Sequence, residues 1–352
     1  MSFSARRLAF GLVVCAALGA QEPPPGATPW PVKTRPHIDL WLHGYALLTE
    51  DTTRVPLFAR DYAGAQQAGK NARTLLTKFD AQRDKLARGL EAMPTIAAAQ
   101  FLPLQYPTAA EFERAMMAFQ LADGDPRRAR TRDDQEAILA LGGIFKTAAH
   151  RAWLKEFREA LRDDDEKWFR NWWSDEQKAR LAALTAFDRR WQSELRPAMQ
   201  RWLNASNTAD GEIILSPVLE AEGRTVTISK RRNTVVIGWP RDTAHADEAF
   251  FTFCHEIVGS VSAAAIADNL TPAQQRDGIG ERLQAAGLVR GGLELVRAVA
   301  PSKVDAFARF YLRAAGLPMA GDAVASLEAN FALPDAIVAA IKANIAAGFG
   351  GI

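Results

Sequence analysis

The chain has 352 residues, of which 48% are hydrophobic and 24% charged, and its formal net charge is +2. This balance, with 24 glycines and 18 prolines, excludes fibrous, collagen-like and wholly disordered proteins. A near-neutral chain also lacks the basic surplus that nucleic-acid binding requires, so nucleic acid is not expected as a partner.

Residues 1–20 have the pattern of a secretory signal peptide, because two arginines precede an apolar run that ends in small residues. The apolar run at 8–20 is shorter than the roughly 20 residues of a membrane span, so a retained anchor is the weaker alternative. We expect a secreted or periplasmic protein with no integral membrane segment after signal removal. Removal takes two of the 43 basic residues and none of the 41 acidic ones, which leaves a neutral chain with Cys254 as its cysteine.

The segment 21–36 contains six prolines in sixteen residues, which predicts an extended linker. From His37 to residue 205 the apolar spacing predicts a helical region. It includes a first short helix at 39–48, a longer helix at 70–90 and two capping-box patterns, Thr108 with Glu111 and Ser174 with Gln177, the second of which would open a long helix.

Two features of this helical region could suggest a ligand site, but their spacing favours a structural interpretation. Five tryptophans recur at helical spacing, which is typical of the buried face of a helical bundle; they are Trp168, Trp172, Trp173, Trp191 and Trp202. The acidic run at 163–166 lacks the alternating ligands and the turn glycine of a calcium loop, so it predicts a solvated helix start.

Residues 206–352 begin with strand signals and end with helical ones. Three segments have the β-branched composition and turn boundaries of strands, namely 212–215, 224–229 and 234–239. A wide apolar helix at 244–268 follows, and Thr271 with Gln274 caps the first of the C-terminal helices. The expected fold class is therefore α+β, mostly α: a helical N-terminal region, a small antiparallel sheet, a buried helix and a C-terminal helical region.

The buried helix carries the one motif that suggests chemistry, Cys254-His255-Glu256-Ile257-Val258-Gly259. Zinc peptidases use HExxH, in which two histidines on one helical face bind the metal and the Glu polarises a water. A short strand followed by a helix with His-Glu resembles the active helix of the zincin metallopeptidases. The resemblance covers residues 212–268 and implies that the last strand before the helix lines a substrate cleft.

The resemblance implies that His255 is the first zinc ligand and Glu256 the general base. Gly259 stands where the second histidine would be, so that ligand is missing. In the gluzincin branch a third ligand is a Glu from a later helix, and Glu281 and Glu294 both lie at suitable distances, with Glu281 preferred. Catalytic zinc sites use three protein ligands, so we expect zinc to be held weakly or not at all.

Two functions remain open from the sequence, and with them the question of whether the chain is an enzyme. One is a secreted zinc-dependent peptidase with a degenerate metal site, impaired or inactive. The other is a non-catalytic secreted binding or scaffold protein that retains the metallopeptidase fold. In both cases a peptide or a protein is the expected partner. A chance His-Glu pair on a core helix is a third interpretation, and no pattern indicates the oligomeric state.

Overall fold

The structure is a computed structural model that describes residues 28–229, 232–319 and 321–350. The fold is α+β and mostly α, with about 70% of the chain helical and a small four-stranded mixed sheet. The predicted signal peptide and the first part of the predicted linker, up to residue 27, lie outside the described residues.

The first eight helices of the described chain precede most of the sheet. They are α1 (Pro36–Leu48), α2 (Tyr62–Ala72), α3 (Lys78–Ala92), α4 (Ala109–Leu121), α5 (Arg132–Ile144), α6 (Ala148–Asp164), α7 (Arg170–Arg190) and α8 (Arg196–Ala205). A 3₁₀ segment, Pro94–Gln105, links α3 to α4. Thr108 caps α4 by accepting a hydrogen bond from the Glu111 backbone N–H, as its capping box predicts.

Two predicted helix boundaries in this region are wrong. The segment 70–90 is not one helix, because α2 ends at Ala72 and Thr77 caps a new helix. Ser174 opens no helix, since it lies inside α7. Two π-turns, Asp165–Phe169 and Trp191–Leu195, join α6, α7 and α8 into one continuous helix over 148–205.

The sheet is mixed, and not antiparallel as predicted. Its strands are β1 (Val32–Lys33), β2 (Glu212–Ser216), β3 (Arg224–Ser229) and β4 (Arg232–Gly238), in the spatial order β1-β2-β4-β3. The predicted hairpin of β3 and β4 is antiparallel. On its other side β4 pairs with β2, and these two strands run parallel. β1 adds a further parallel pair with β2.

β1 also shows that ordered structure begins before His37, inside the segment predicted as a linker. Val32 pairs with Ile213, and the preceding Trp30 is 0% exposed. Its indole packs edge-on against the rings of Trp191 and Phe253, at centroid distances of 6.5 and 5.4 Å. The last part of the predicted linker is therefore an anchored segment of the fold.

The remaining helices follow the sheet. They are α9 (Asp247–Ile257), α10 (Gly259–Asp268), α11 (Pro272–Arg276), α12 (Ile279–Val299), α13 (Val304–Ala314), α14 (Ala323–Asn330) and α15 (Asp335–Gly348). Thr271 caps α11 with the predicted capping box. Within the described residues no single helix is long and apolar enough to cross a membrane, whereas two bent pairs, Thr243–Ile257 with Gly259–Asp268 and Ala323–Asn330 with Asp335–Gly348, reach that length and composition together.

The sheet separates two hydrophobic cores. Alternate residues of β2 point to opposite faces, so Ile214 joins a core built with α1–α6, whereas Ile213 and Leu215 join a second core built with α7–α15. Parallel strands covered on both faces are normally this apolar. The second core takes Phe187 and Trp202 from before residue 205, so the cores do not divide where the sequence predicted two regions.

Candidate functional site

His255 and Glu256 lie in the last turn of α9, which packs between β4 and α12. A Cβ at Gly292 of α12 would lie 3.1 Å from the His255 Cα, so glycine allows the two helices to approach closely there. The His255 side chain is 1% exposed, and its ring stacks on Tyr311 of α13 at 5.3 Å. The histidine is therefore part of the core.

The Glu256 side chain is 9% exposed, and its carboxylate has two partners. Its Oε1 accepts a hydrogen bond from the Gly223 backbone N–H at 2.9 Å and lies 2.9 Å from His255 Nδ1. Burial raises the pKa of Glu256, but the hydrogen bond and charge of His255 and the Gly223 N–H outweigh it, so the pKa is lowered. The ionised carboxylate requires His255 Nδ1 to be the donor.

The segment before β3 closes over this pair. Ala221 and Gly223 are buried, and the Tyr311 hydroxyl donates to the Ala221 carbonyl at 3.2 Å. Burial raises the pKa of Tyr311 well above its usual value, so the phenol stays neutral. A Cβ at Gly223 would lie 2.1 Å from the Val236 carbonyl oxygen, so only glycine fits where this segment crosses β4.

The sequence predicted one continuous helix over 244–268. The helix that carries the His-Glu pair ends instead at Ile257. Val258 has a non-helical ψ of 2°, and α10 begins at Gly259 with a bend of 41°. Residues 255 and 259 are therefore not successive positions on one helical face. Gly259 itself has open space beside it, since the nearest atom to a Cβ would be Leu288 Cδ2 at 3.9 Å.

The structure does not bring the two predicted glutamate ligands to His255. Glu294 is buried, but its Oε1 accepts from Arg297 at 2.5 Å and lies 3.8 Å from Lys342 Nζ. Glu281 is exposed in the first turn of α12, eleven positions before Gly292, which is about 16 Å along a helix axis. Across the described ranges no group of three or more His, Cys, Asp or Glu side chains is placed to hold a metal ion.

These residues do not fit a catalytic zinc ion. Such a site needs three protein ligands and an open position for water, whereas His255 is one imidazole inside the core and its Nδ1 is bonded to Glu256. His245 cannot add a ligand, because it is exposed at the end of the 3₁₀ turn that precedes α9 and is bonded to Asp242 at 2.8 Å.

Two members of the observed site were not predicted. Gly223 lies 33 positions before its partner Glu256, and Tyr311 lies 56 positions after its partner His255, so no local pattern joins them. A glycine just before a strand and a tyrosine within the apolar face of α13 were the signals available. Neither signal indicates a His-Glu pair without the tertiary fold.

A concave surface lies elsewhere on the molecule. A groove of about 640 Å³ runs between α1, α4 and the π-turn Asp165–Phe169, with Phe112, Leu161 and Trp173 among its apolar lining. Its charged side chains are balanced, because Arg158 pairs with Glu113 and Arg170 with Asp165. None of the residues of the His-Glu site lines it.

Comparison of the chain with protein-family models, with curated proteins and with solved structures gave no match.

Proposed function

We propose that this chain is an exported, zincin-like protein that acts by binding and not by peptide hydrolysis. In this proposal His255 and Glu256 have a structural role: they fix the start of β3 against α9. The observation that carries it is the Glu256 carboxylate, which is only 9% exposed and whose Oε1 is shared by Gly223 N–H and His255 Nδ1. A general base needs an open site where it can reach a water and a substrate.

The partner in this proposal is an extended peptide or an unfolded segment of a protein. The resemblance implied that the strand before the helix lines a cleft, but β4 has neighbours on both sides and offers no free edge. β3 is the last strand of the sheet, and its residues Arg224 and Thr227 are exposed. An exposed strand edge can pair with an added strand through main-chain hydrogen bonds.

The first test separates hydrolysis from binding. Purified residues 21–352 are offered β-casein, an unfolded protein, and zinc content is measured by mass spectrometry. We expect sub-stoichiometric zinc, intact casein and a saturable heat of casein binding in calorimetry. Glu281→Gln serves as the control and should change none of these readouts, because Glu281 is exposed and remote from His255.

Stoichiometric zinc together with casein cleavage that Glu256→Gln abolishes would contradict the proposal. An absence of binding heat would contradict its second part alone. Glu256→Gln should instead lower stability by about 1–3 kcal/mol, because a neutral amide accepts hydrogen bonds more weakly than a carboxylate does. Since the pKa of Glu256 is lowered, this difference should be present above pH 4.5 and disappear as the pH falls below it.

Gly259→His tests the metal site directly. The new imidazole would start α10 beyond a 41° bend, and no third donor lies near His255 among the described residues. We expect no stoichiometric zinc in this variant, as judged by equilibrium dialysis against zinc. A zinc-loaded Gly259→His protein would instead favour a peptidase site that lost a single ligand.

A further inference from the structure

Asp39 is a fully buried carboxyl group at a junction of three elements. It lies in the first turn of α1 and is 0% exposed. Its Oδ2 accepts a hydrogen bond from Trp173 Nε1 of α7 at 2.8 Å, and Ser216 at the end of β2 lies close enough to lower the pKa of the carboxyl. Its Oδ1 has no hydrogen-bond partner among the described residues.

The charged and titratable groups that face Asp39 do not neutralise it. Arg180 of α7 is the cation that acts on it, but the Arg180 guanidinium is bonded to Glu176 at 2.6 Å and to the Trp239 carbonyl at 2.7 Å. Tyr62 of α2 is a neutral phenol, since burial and the nearby acids raise its pKa well above the usual value. The facing residue from the sheet, Ser216, is uncharged.

A carboxylate in this setting is costly, because burial removes its hydration and no cation within the described ranges is hydrogen-bonded to it. A proton removes the charge. The Ser216 hydroxyl can accept as well as donate a hydrogen bond, so the neutral acid can bond to it while the second oxygen keeps the Trp173 N–H. The neutral form is therefore the one that this junction accommodates.

We propose that Asp39 is a proton-controlled latch, which holds α1, α7 and the end of β2 together when protonated and weakens that junction when it ionises. The contribution of this residue to stability is therefore larger in acidic than in neutral surroundings. The inference concerns the stability of the whole fold and does not depend on the function of the His-Glu pair.

The direction of the pH effect on stability follows from the raised pKa of Asp39. Burial raises the pKa of Asp39 from 3.8 to about 7. Between these values the folded state keeps a proton that the unfolded state has lost, so stability falls as the pH rises. The contribution is complete below pH 3.8 and is lost as the pH passes about 7. Within this window the unfolding equilibrium constant should rise about tenfold per pH unit.

The test compares urea unfolding of the wild type and Asp39→Asn from pH 4 to pH 8. Asparagine is isosteric and cannot ionise, so the wild type should lose stability relative to Asp39→Asn across this range. Asp84→Asn, which removes an exposed carboxyl on α3, is the control and should follow the wild type. Equal pH dependence in the wild type and Asp39→Asn would overturn the proposal.

A second variant covers the case in which Asp39→Asn does not fold. Trp173→Phe removes a donor that favours the ionised carboxyl, so the wild-type loss of stability should move to higher pH. Infrared spectroscopy of the wild type should also show a protonated-carboxyl band at pH 6. In Trp173→Phe the pH at which this band disappears should be higher. An unmoved transition in Trp173→Phe would overturn the latch.

Discussion

The side chain of Asp164 lies in a buried charged cluster that joins four helices of the first core. Its Oδ2 lies 2.9 Å from His43 Nε2, its Oδ1 accepts from Thr77 at 2.6 Å, and Lys70 forms an ion pair with it. Asp80 is the second carboxylate on Lys70, at 2.9 Å. The sequence predicted a solvated acidic helix start here, which is wrong for Asp164, since this residue is 0% exposed.

Removing one charged partner from this cluster should lower the stability of the fold substantially. Asp164→Asn leaves Lys70 partly unpaired in the core, so we expect a loss of about 3–5 kcal/mol in urea unfolding at pH 7. Glu136→Gln, which breaks the exposed ion pair with Arg132, is the control and should cost at most about 0.5 kcal/mol. Equal effects of the two substitutions would show that the cluster adds nothing beyond a surface pair.

Asp164 also gives a pH dependence opposite to that of Asp39. Burial raises its pKa, but the hydrogen bond and charge of His43 and the charge of Lys70 outweigh this and lower it to about 2. The stability it contributes is therefore complete above pH 3.8 and is lost as the pH falls toward 2. The gap between wild type and Asp164→Asn should close across that window.

The longest element, the helix over 148–205, changes its buried face along its length. Each π-turn adds a residue to one helical turn, and large side chains occupy the widened turns: Trp168 and Phe169 in the first, Trp191 and Leu195 in the second. The shift lets one helix contribute first to the core of α1–α6 and then to the core of α7–α15.

The crossing of the segment before β3 over β4 depends on glycine. Gly223→Ala would place a Cβ 2.1 Å from the Val236 carbonyl oxygen, so the backbone must move and we expect a loss of about 1–3 kcal/mol. Gly142→Ala on α5 meets nothing within 4 Å and should be neutral or stabilising by up to about 1 kcal/mol. Thermal unfolding of the two variants checks both expectations. An unchanged stability of Gly223→Ala would show that the backbone can move there without loss.

Elements with local signals were predictable from the sequence. The capping boxes at Thr108 and Thr271 and the β3–β4 hairpin depend on residues within a few positions of one another, and the structure contains them. β1 was not predictable in this way, because Val32 becomes a strand only by pairing with Ile213. The same limit applies to the site: the adjacency of His255 and Glu256 is visible in the chain, whereas their contacts with Tyr311 and Gly223 exist only in the fold.

At the scale of the whole molecule, one sheet contributes residues to both cores, and Trp30 anchors the start of β1. The Trp30 carbonyl accepts from Trp191 Nε1 at 3.0 Å, and its backbone N–H donates to Asp210 at 2.9 Å. The ring is 0% exposed in the second core. Residues from the start and the middle of the described chain therefore meet at this position.

Trp30→Ala should destabilise the complete protein and not only its N-terminal part. Loss of a buried tryptophan costs about 3–5 kcal/mol, and we expect near-UV and far-UV circular dichroism to report one shared, lowered transition. Leu76→Ala removes a side chain that is 71% exposed and should leave the transition unchanged. Separate transitions for the two signals would show that the cores unfold independently.

The parallel pairing of β1 with β2 also fixes an order of events during biosynthesis. Val32 is made early, but its partner Ile213 and the strand beyond it are made about 180 residues later. Domains usually fold as the chain emerges, N-terminal part first. Here the first strand must wait until about 180 further residues have been made, so neither core can close until late, which suits a chain that is expected to be threaded unfolded across a membrane before it folds.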